Sequence, residues 1–225
     1  MMRTAIMGVA IAALASTAAA QTPLERGTYL MTSIVACGNC HTQNTPQGPV
    51  PGMELAGGTK FEEGFGIAYA SNITPDPETG IGKWTDAQII TAIREGKRPD
   101  GSIIGPPMPV PLYRDLSDGD VRAIVAYLRS VKPVANKVSK AEYKVPLPPS
   151  YGPPVTTVAA VPRTDRVKYG AYLAGPAGPP LRLEHIDCGE PISVRVQCAA
   201  GHDVPAEEIS VALTPRRSGR ARLSQ

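Results

Sequence analysis

Apolar side chains return at helical spacing in three stretches of this 225-residue chain, and almost everywhere else the pattern is interrupted by proline and glycine. Gly27, Leu30, Met31 and Ile34 fall at i, i+3, i+4 and i+7, which predicts a first helix running straight into Cys37. Thr85 is placed to cap a second helix over residues 86–95, with Gln88 at the capping-box position and Gly96 as its stop. Ser117 is placed to cap a third, with Asp120 at the box position and Val121, Ile124, Val125 and Leu128 along one face. Strand signals are weak throughout. Between the helices lie loops rich in proline and glycine, at residues 45–58, 74–82 and 99–111. The fold expected is mainly α and loop-rich, and three short helices make too thin an apolar core for so much chain. Something other than side chains should fill the middle.

Residues 1–20 begin with Arg3, continue through the apolar run Ile6 to Leu14 and end in Ala18, Ala19 and Ala20. A basic start, a short apolar run and a small-residue cleavage site predict a secretory signal rather than a membrane span. The mature chain is expected to start near Gln21, in an oxidising exported compartment such as a bacterial periplasm, where a permanent thiol pair does not persist. With 24 prolines, 22 glycines and two phenylalanines, the chain has room for one ordinary domain and a smaller appendage. A formal charge of +3 excludes a nucleic-acid footprint. The basic residues cluster only at Arg216, Arg217, Arg220 and Arg222, which read as a disordered tail.

The first helix leads into Cys37-Gly-Asn-Cys40-His41. A C-x-x-C-H run lets two thiols add across the vinyl groups of a porphyrin while the adjacent imidazole reaches the iron from the same side. Zinc would need a second pair of ligands close by, and residues 42–53 offer none. Disulfide exchange would need a strand before the motif, and a helix precedes it. The expected cofactor is therefore haem c, with Cys37 and Cys40 as thioether anchors and His41 as the proximal ligand. For the sixth position, His185 and His202 are remote, three methionines belong to the signal, and Met31 lies on the helix face before the anchor. Met108, between Pro107 and Pro109, is the expected ligand, ahead of Met53. A His/Met pair leaves no open iron position and suits electron transfer.

The stretches RGTYL, CGNCHT, LAGGTKFEEGFGIAYASNITPDPETGIGKWTD, AIREGKRPDG, PPMP and LSDGDVRAIVAYLRSVKPV resemble the cytochrome c subunits of bacterial membrane-associated alcohol, aldehyde and gluconate dehydrogenases. The resemblance runs from Glu25 to about Gly175. It implies a class I cytochrome c-like helical domain around a covalent haem, with the first and last helices crossing where Gly27 meets Tyr127. Asn72, Thr74 and Trp84 would then lie near the haem edge or its propionates. It also implies a dehydrogenase catalytic subunit as electron donor and a quinone, an oxidase or another cytochrome as acceptor. Association with the inner membrane would come through those partners.

The family carries more than one haem, and here the sequence departs from it. Lys168-Tyr-Gly-Ala-Tyr-Leu173 repeats the Arg26–Leu30 stretch, aligning Gly170 with Gly27 and Tyr172 with Tyr29. At the same spacing, the positions of Cys37, Cys40 and His41 are taken by Pro180, Leu183 and Glu184. One haem per chain is therefore expected. The domains read as a signal at 1–20, a haem domain at 21–140, a linker and truncated second repeat at 141–178, and an unrelated tail at 179–225. The unpaired face of the second repeat, with Tyr172 and Leu173, is expected to fray or to dock on a partner. In the tail, His185, Cys188, Cys198 and His202 resemble the metal-knuckle tail of HxlR-type regulators. A zinc knuckle, a Cys188–Cys198 disulfide and an unstructured extension all remain open. The reading is a single-electron carrier rather than an enzyme. Its rivals are a haem enzyme or ligand sensor with an open iron site and a metal-knuckle interaction protein.

Overall fold

The computed structural model describes residues 21–178, so the predicted signal and the tail from 179 onward, with its four candidate zinc ligands, lie outside the described residues. Helix α1 (Pro23–Tyr29) starts on a capping box between Thr22 and Glu25. It runs on as one π-helical turn, Leu30–Ile34, closed by the Val35 N–H on the Leu30 carbonyl at 2.8 Å. Ala36 then takes a left-handed backbone and turns the chain into the short helix α2 (Gly38–His41). The predicted first helix does lead into the cysteine motif, through a widened last turn that apolar spacing does not announce.

Two small antiparallel sheets stand where strand signals are weak. β1 (Asn44–Thr45) pairs with β2 (Gly48–Pro49), and β3 (Lys60–Glu63) pairs with β4 (Gly66–Tyr69). Only β4 has buried positions, and β3 is mostly exposed, so neither shows a clean apolar alternation. Helix α3 (Asp86–Glu95) carries the expected Thr85–Gln88 box and stops at Gly96 in the left-handed region. After α4 (Val110–Tyr113), helix α5 (Asp118–Ser130) is capped by Ser117, whose hydroxyl accepts from the Asp120 N–H. Later come β5 (Glu142–Tyr143), which adds to β4, and helix α6 (Arg166–Ala174). None of the described helices is long and apolar enough to cross a membrane.

The core forms where α1 lies across α5. A Cβ on Gly27 would sit 2.0 Å from the Ala123 carbonyl oxygen and 3.0 Å from the Tyr127 Cβ, so the two backbones approach as only glycine permits. Leu30, Leu116, Val121 and Ile124 close in around the crossing and are essentially without solvent contact. Beside it, the Arg26 guanidinium grips the Asp120 carboxylate through two bonds, Nε to Oδ1 at 2.7 Å and Nη2 to Oδ2 at 2.8 Å. Asp120 occupies the capping-box position, but its carboxylate reaches across to α1 instead. Burial pushes the Asp120 carboxyl up, yet the hydrogen bonds from Arg26 and Tyr172 outweigh it and hold the group below the usual carboxylate range.

The expected break at residue 140 does not appear among the described residues. The Tyr143 hydroxyl donates to the Pro106 carbonyl at 3.1 Å and the Tyr151 hydroxyl to the Ile104 carbonyl at 2.8 Å. The Asp118 N–H donates to the Val158 carbonyl at 2.9 Å. The chain from 141 to 162 is thus a strap across α3, α4 and the start of α5. It delivers α6 against the α1–α5 crossing, where Tyr172 is buried and its hydroxyl donates to Asp120 Oδ2 at 2.7 Å while accepting from the Ser117 N–H at 3.1 Å. Helix α6 docks on its own chain through the tyrosine expected to lack a partner. Among the described residues a Cβ on Gly170 would meet no atom within 4 Å, whereas its counterpart Gly27 is pressed against α5.

Three substitutions test this packing by chemical or thermal unfolding. Gly27→Ala forces two backbones apart and is expected to cost about 3 kcal/mol or more. Tyr172→Phe removes a buried hydrogen bond to a charged group, with an expected loss of about 1.5–3 kcal/mol. Because the Asp120 carboxyl is held low in the folded state, its contribution is fully present above the unfolded carboxylate pKa, about pH 4. It is lost as the pH falls through the lower folded value. Asp120→Asn should lower stability at neutral pH and flatten this acid dependence.

Candidate cofactor site

The motif Cys37-Gly-Asn-Cys40-His41 is wound as a single short helical turn, held by the His41 N–H on the Cys37 carbonyl at 2.9 Å and the Thr42 N–H on the Gly38 carbonyl at 3.0 Å. Both thiols are free, Cys37 half-buried and Cys40 exposed. Burial pushes the Cys37 thiol up to about 12, with Cys40 beside it adding to the shift, and burial raises Cys40 as well.

His41 carries the most informative contact. Its Nδ1 lies 2.7 Å from the Ser71 carbonyl oxygen. A carbonyl only accepts, so Nδ1 carries the proton and the Nε2 lone pair is left for another group. Burial lowers the pKa of the ring and so favours this neutral form, a shift the Ser71 bond opposes. The residues that follow bind the turn to a loop. The His41 carbonyl accepts from the Gly57 N–H at 2.7 Å, the Thr42 hydroxyl accepts from the Leu55 N–H at 3.0 Å, and the Thr59 hydroxyl donates to the Thr42 carbonyl at 3.2 Å.

Met108 is half-buried and packs against the core, between Pro107 and Pro109. Its loop is pinned from the strap by Tyr143 and Tyr151, and it leads into α4, where Tyr113 is buried. Burial raises the Tyr113 hydroxyl above its usual range, with Cys37 and Cys40 adding to this, and Cys37 packs against the core cluster to which Tyr113 belongs. The runner-up, Met53, is half-buried in a loop and is not among the side chains packed on the core. Ile34, Cys37, Ile73, Trp84 and Met108 all touch the core while keeping partial solvent exposure.

Asn72 and Thr74, expected near a haem edge, are buried in a polar cluster that ties residues 72–79 to the chain leaving α5. The Asn72 amide donates to the Val134 carbonyl at 2.7 Å, and the Thr74 hydroxyl accepts from the Val134 N–H at 3.1 Å. Asn136 closes the same cluster on the Ala56 carbonyl at 2.9 Å. Ser71, Thr42, Gly57 and Tyr113 do not stand out in the sequence. The Gly57-Gly58 doublet is the one cue to a close approach.

Two thiols and an imidazole with a free Nε2 on one turn, set beside half-buried apolar side chains, fit a covalently attached porphyrin. Among the described residues no cluster of three or more His, Cys, Asp or Glu could hold a metal ion.

Residues 24–132 match the Cytochrome c family. The chain is 39% identical over 123 residues to a nicotinate dehydrogenase subunit of Pseudomonas putida, covering 55% of this chain and 10% of that protein. It is 36% identical over 143 residues to the alcohol dehydrogenase (quinone) cytochrome c subunit of Gluconobacter oxydans, covering 63% and 28%. It is also 38% identical over 125 residues to the fructose dehydrogenase cytochrome subunit of Gluconobacter japonicus, covering 55% and 24%. The aligned part is thus 10% to 28% of the length of these relatives.

Thr42→Val tests how the turn is held. It keeps the shape but strands the buried Leu55 N–H, with an expected loss of about 1–3 kcal/mol in unfolding free energy.

Proposed function

Because residues 24–132 are a cytochrome c domain, we propose that the chain is an exported, periplasmic electron carrier with one haem c, anchored by Cys37 and Cys40 and ligated by His41 and Met108. When bound, haem c supplies a one-electron iron couple. The two cysteines fix the group on the α2 turn. His41 presents Nε2 while Ser71 holds the opposite ring nitrogen, and the loop of prolines around Met108 presents a thioether with little ordering left to lose. The apolar side chains beside the turn keep water from the buried side. No residue of the site is arranged to make or break a substrate bond. The observation that carries the reading is the His41–Ser71 bond, which leaves Nε2 available on the same turn as Cys37 and Cys40.

The relatives named as dehydrogenase cytochrome subunits support a dehydrogenase as electron donor; the acceptor in this reading is a quinone, an oxidase or another cytochrome. The proposed organisation is a haem domain whose strap and α6 belong to the same folded body.

Exported protein matured with haem attachment is expected to carry one haem per chain by pyridine haemochrome assay. Cys37→Ala or Cys40→Ala should weaken attachment. Two haems would overturn the single-site reading. The oxidised protein should show the weak near-infrared sulfur-to-iron band. Met108→Ala should abolish that band and admit added cyanide or imidazole, while Met53→Ala changes neither. The reverse pattern would move the ligand to Met53.

A further inference from the structure

Asn72 is 3% exposed, and its side chain uses its hydrogen-bonding capacity inside the protein. Oδ1 accepts from the Thr74 N–H at 3.0 Å and the Thr74 hydroxyl at 2.8 Å. Nδ2 donates to the Val134 carbonyl at 2.7 Å and the Thr79 hydroxyl at 3.1 Å. One partner on each side is a backbone group of fixed polarity, so the amide has a single self-consistent orientation. No strong donor or acceptor remains for an external group. This is the bonding of an anchor, not of a ligand contact.

What it anchors is the neighbouring peptide. Ser71 lies between β4 and the loop of residues 72–82, outside any ladder that would fix its carbonyl. That carbonyl is the acceptor for His41 Nδ1. A second element bears on the same place, because a Cβ at Gly57 would lie 2.5 Å from both the Ala70 oxygen and the Ser71 carbonyl carbon. Gly57 also donates its N–H to the His41 carbonyl. His41 is thus bracketed by one loop at its backbone and by the Asn72-held peptide at its ring.

We infer that Asn72 is a positioning residue that sets the donor strength of His41 by holding the Ser71 carbonyl on Nδ1. The inference rests on the reading that His41 ligates the iron. An acceptor kept on Nδ1–H makes the imidazole more basic and a stronger donor to the oxidised metal. Releasing it weakens that donation and favours the reduced state.

The test uses full-length protein with haem attached. Asn72→Ala is expected to raise the midpoint potential in an optical redox titration. It should also speed exchange of the His41 Nδ1 proton with deuterium, read by NMR, by on the order of tenfold. Thr79→Val, which removes one contact to the amide and is milder, should shift both readouts less and in the same direction. Tyr172→Phe, which removes bonds to Ser117 and Asp120 and none to the Asn72 cluster, should move neither. Wild-type potential and exchange in haem-loaded Asn72→Ala would overturn the inference. So would a Tyr172→Phe shift of equal size, which would mark the change as general loosening. If His41→Ala leaves the spectrum and potential unchanged, the ligation reading fails, and the inference with it.

Discussion

Backbone contact between α1 and α5 at Gly27 is the constraint from which the rest of the structure follows. Once the Ala123 carbonyl lies against a residue with no side chain, the apolar faces of both helices point inward around Leu30 and Ile124. The Arg26–Asp120 pair fixes the rotation of one helix against the other. The cysteine turn follows α1 almost directly, so its position is set by this crossing. A partly buried ion pair of this kind is weak as a source of net stability, but breaking it by removing one partner leaves a costly unpaired charge.

The loops are held to this frame by hydrogen bonds rather than by apolar burial. Asn72, Thr74, Thr79 and Asn136 join residues 56, 72–79 and 134–136, and Tyr143 and Tyr151 hold residues 104–106 from the strap. A chain with two phenylalanines and 24 prolines has few large side chains with which to fasten loops, so polar side chains on backbone groups take that part.

The three principal helices are legible because each carries a signal locally: the first an apolar spacing, α3 a cap and a stop, and α5 a cap and an apolar face. Cys37, Cys40 and His41 are legible for the same reason. The strands are not, since β3 is mostly exposed and the buried positions of β4 are Gly66 and Ala68, which mark no apolar face in the sequence. The Ser71 carbonyl is invisible because a backbone acceptor has no residue-type signature. Asn72 and Thr74 stand out in the sequence, but only the structure shows that their bonds point to Val134 and not outward. The repeat at residues 168–173 is plain in the sequence and its destination is not, because docking Tyr172 needs a surface made jointly by α1 and α5.

The contrast between Gly27 and Gly170 has a consequence for how the chain tolerates change. At Gly27 every side chain is shut out by a neighbouring backbone, whereas at Gly170 no described atom lies within 4 Å of a Cβ. Glycine in a helix interior disfavours the helix by about 0.5–1 kcal/mol relative to alanine. In α6 that cost is carried with no close approach among the described residues to require it. The two positions of one sequence motif therefore differ in what they admit: among the described residues, a side chain at Gly27 collides with backbone and one at Gly170 does not.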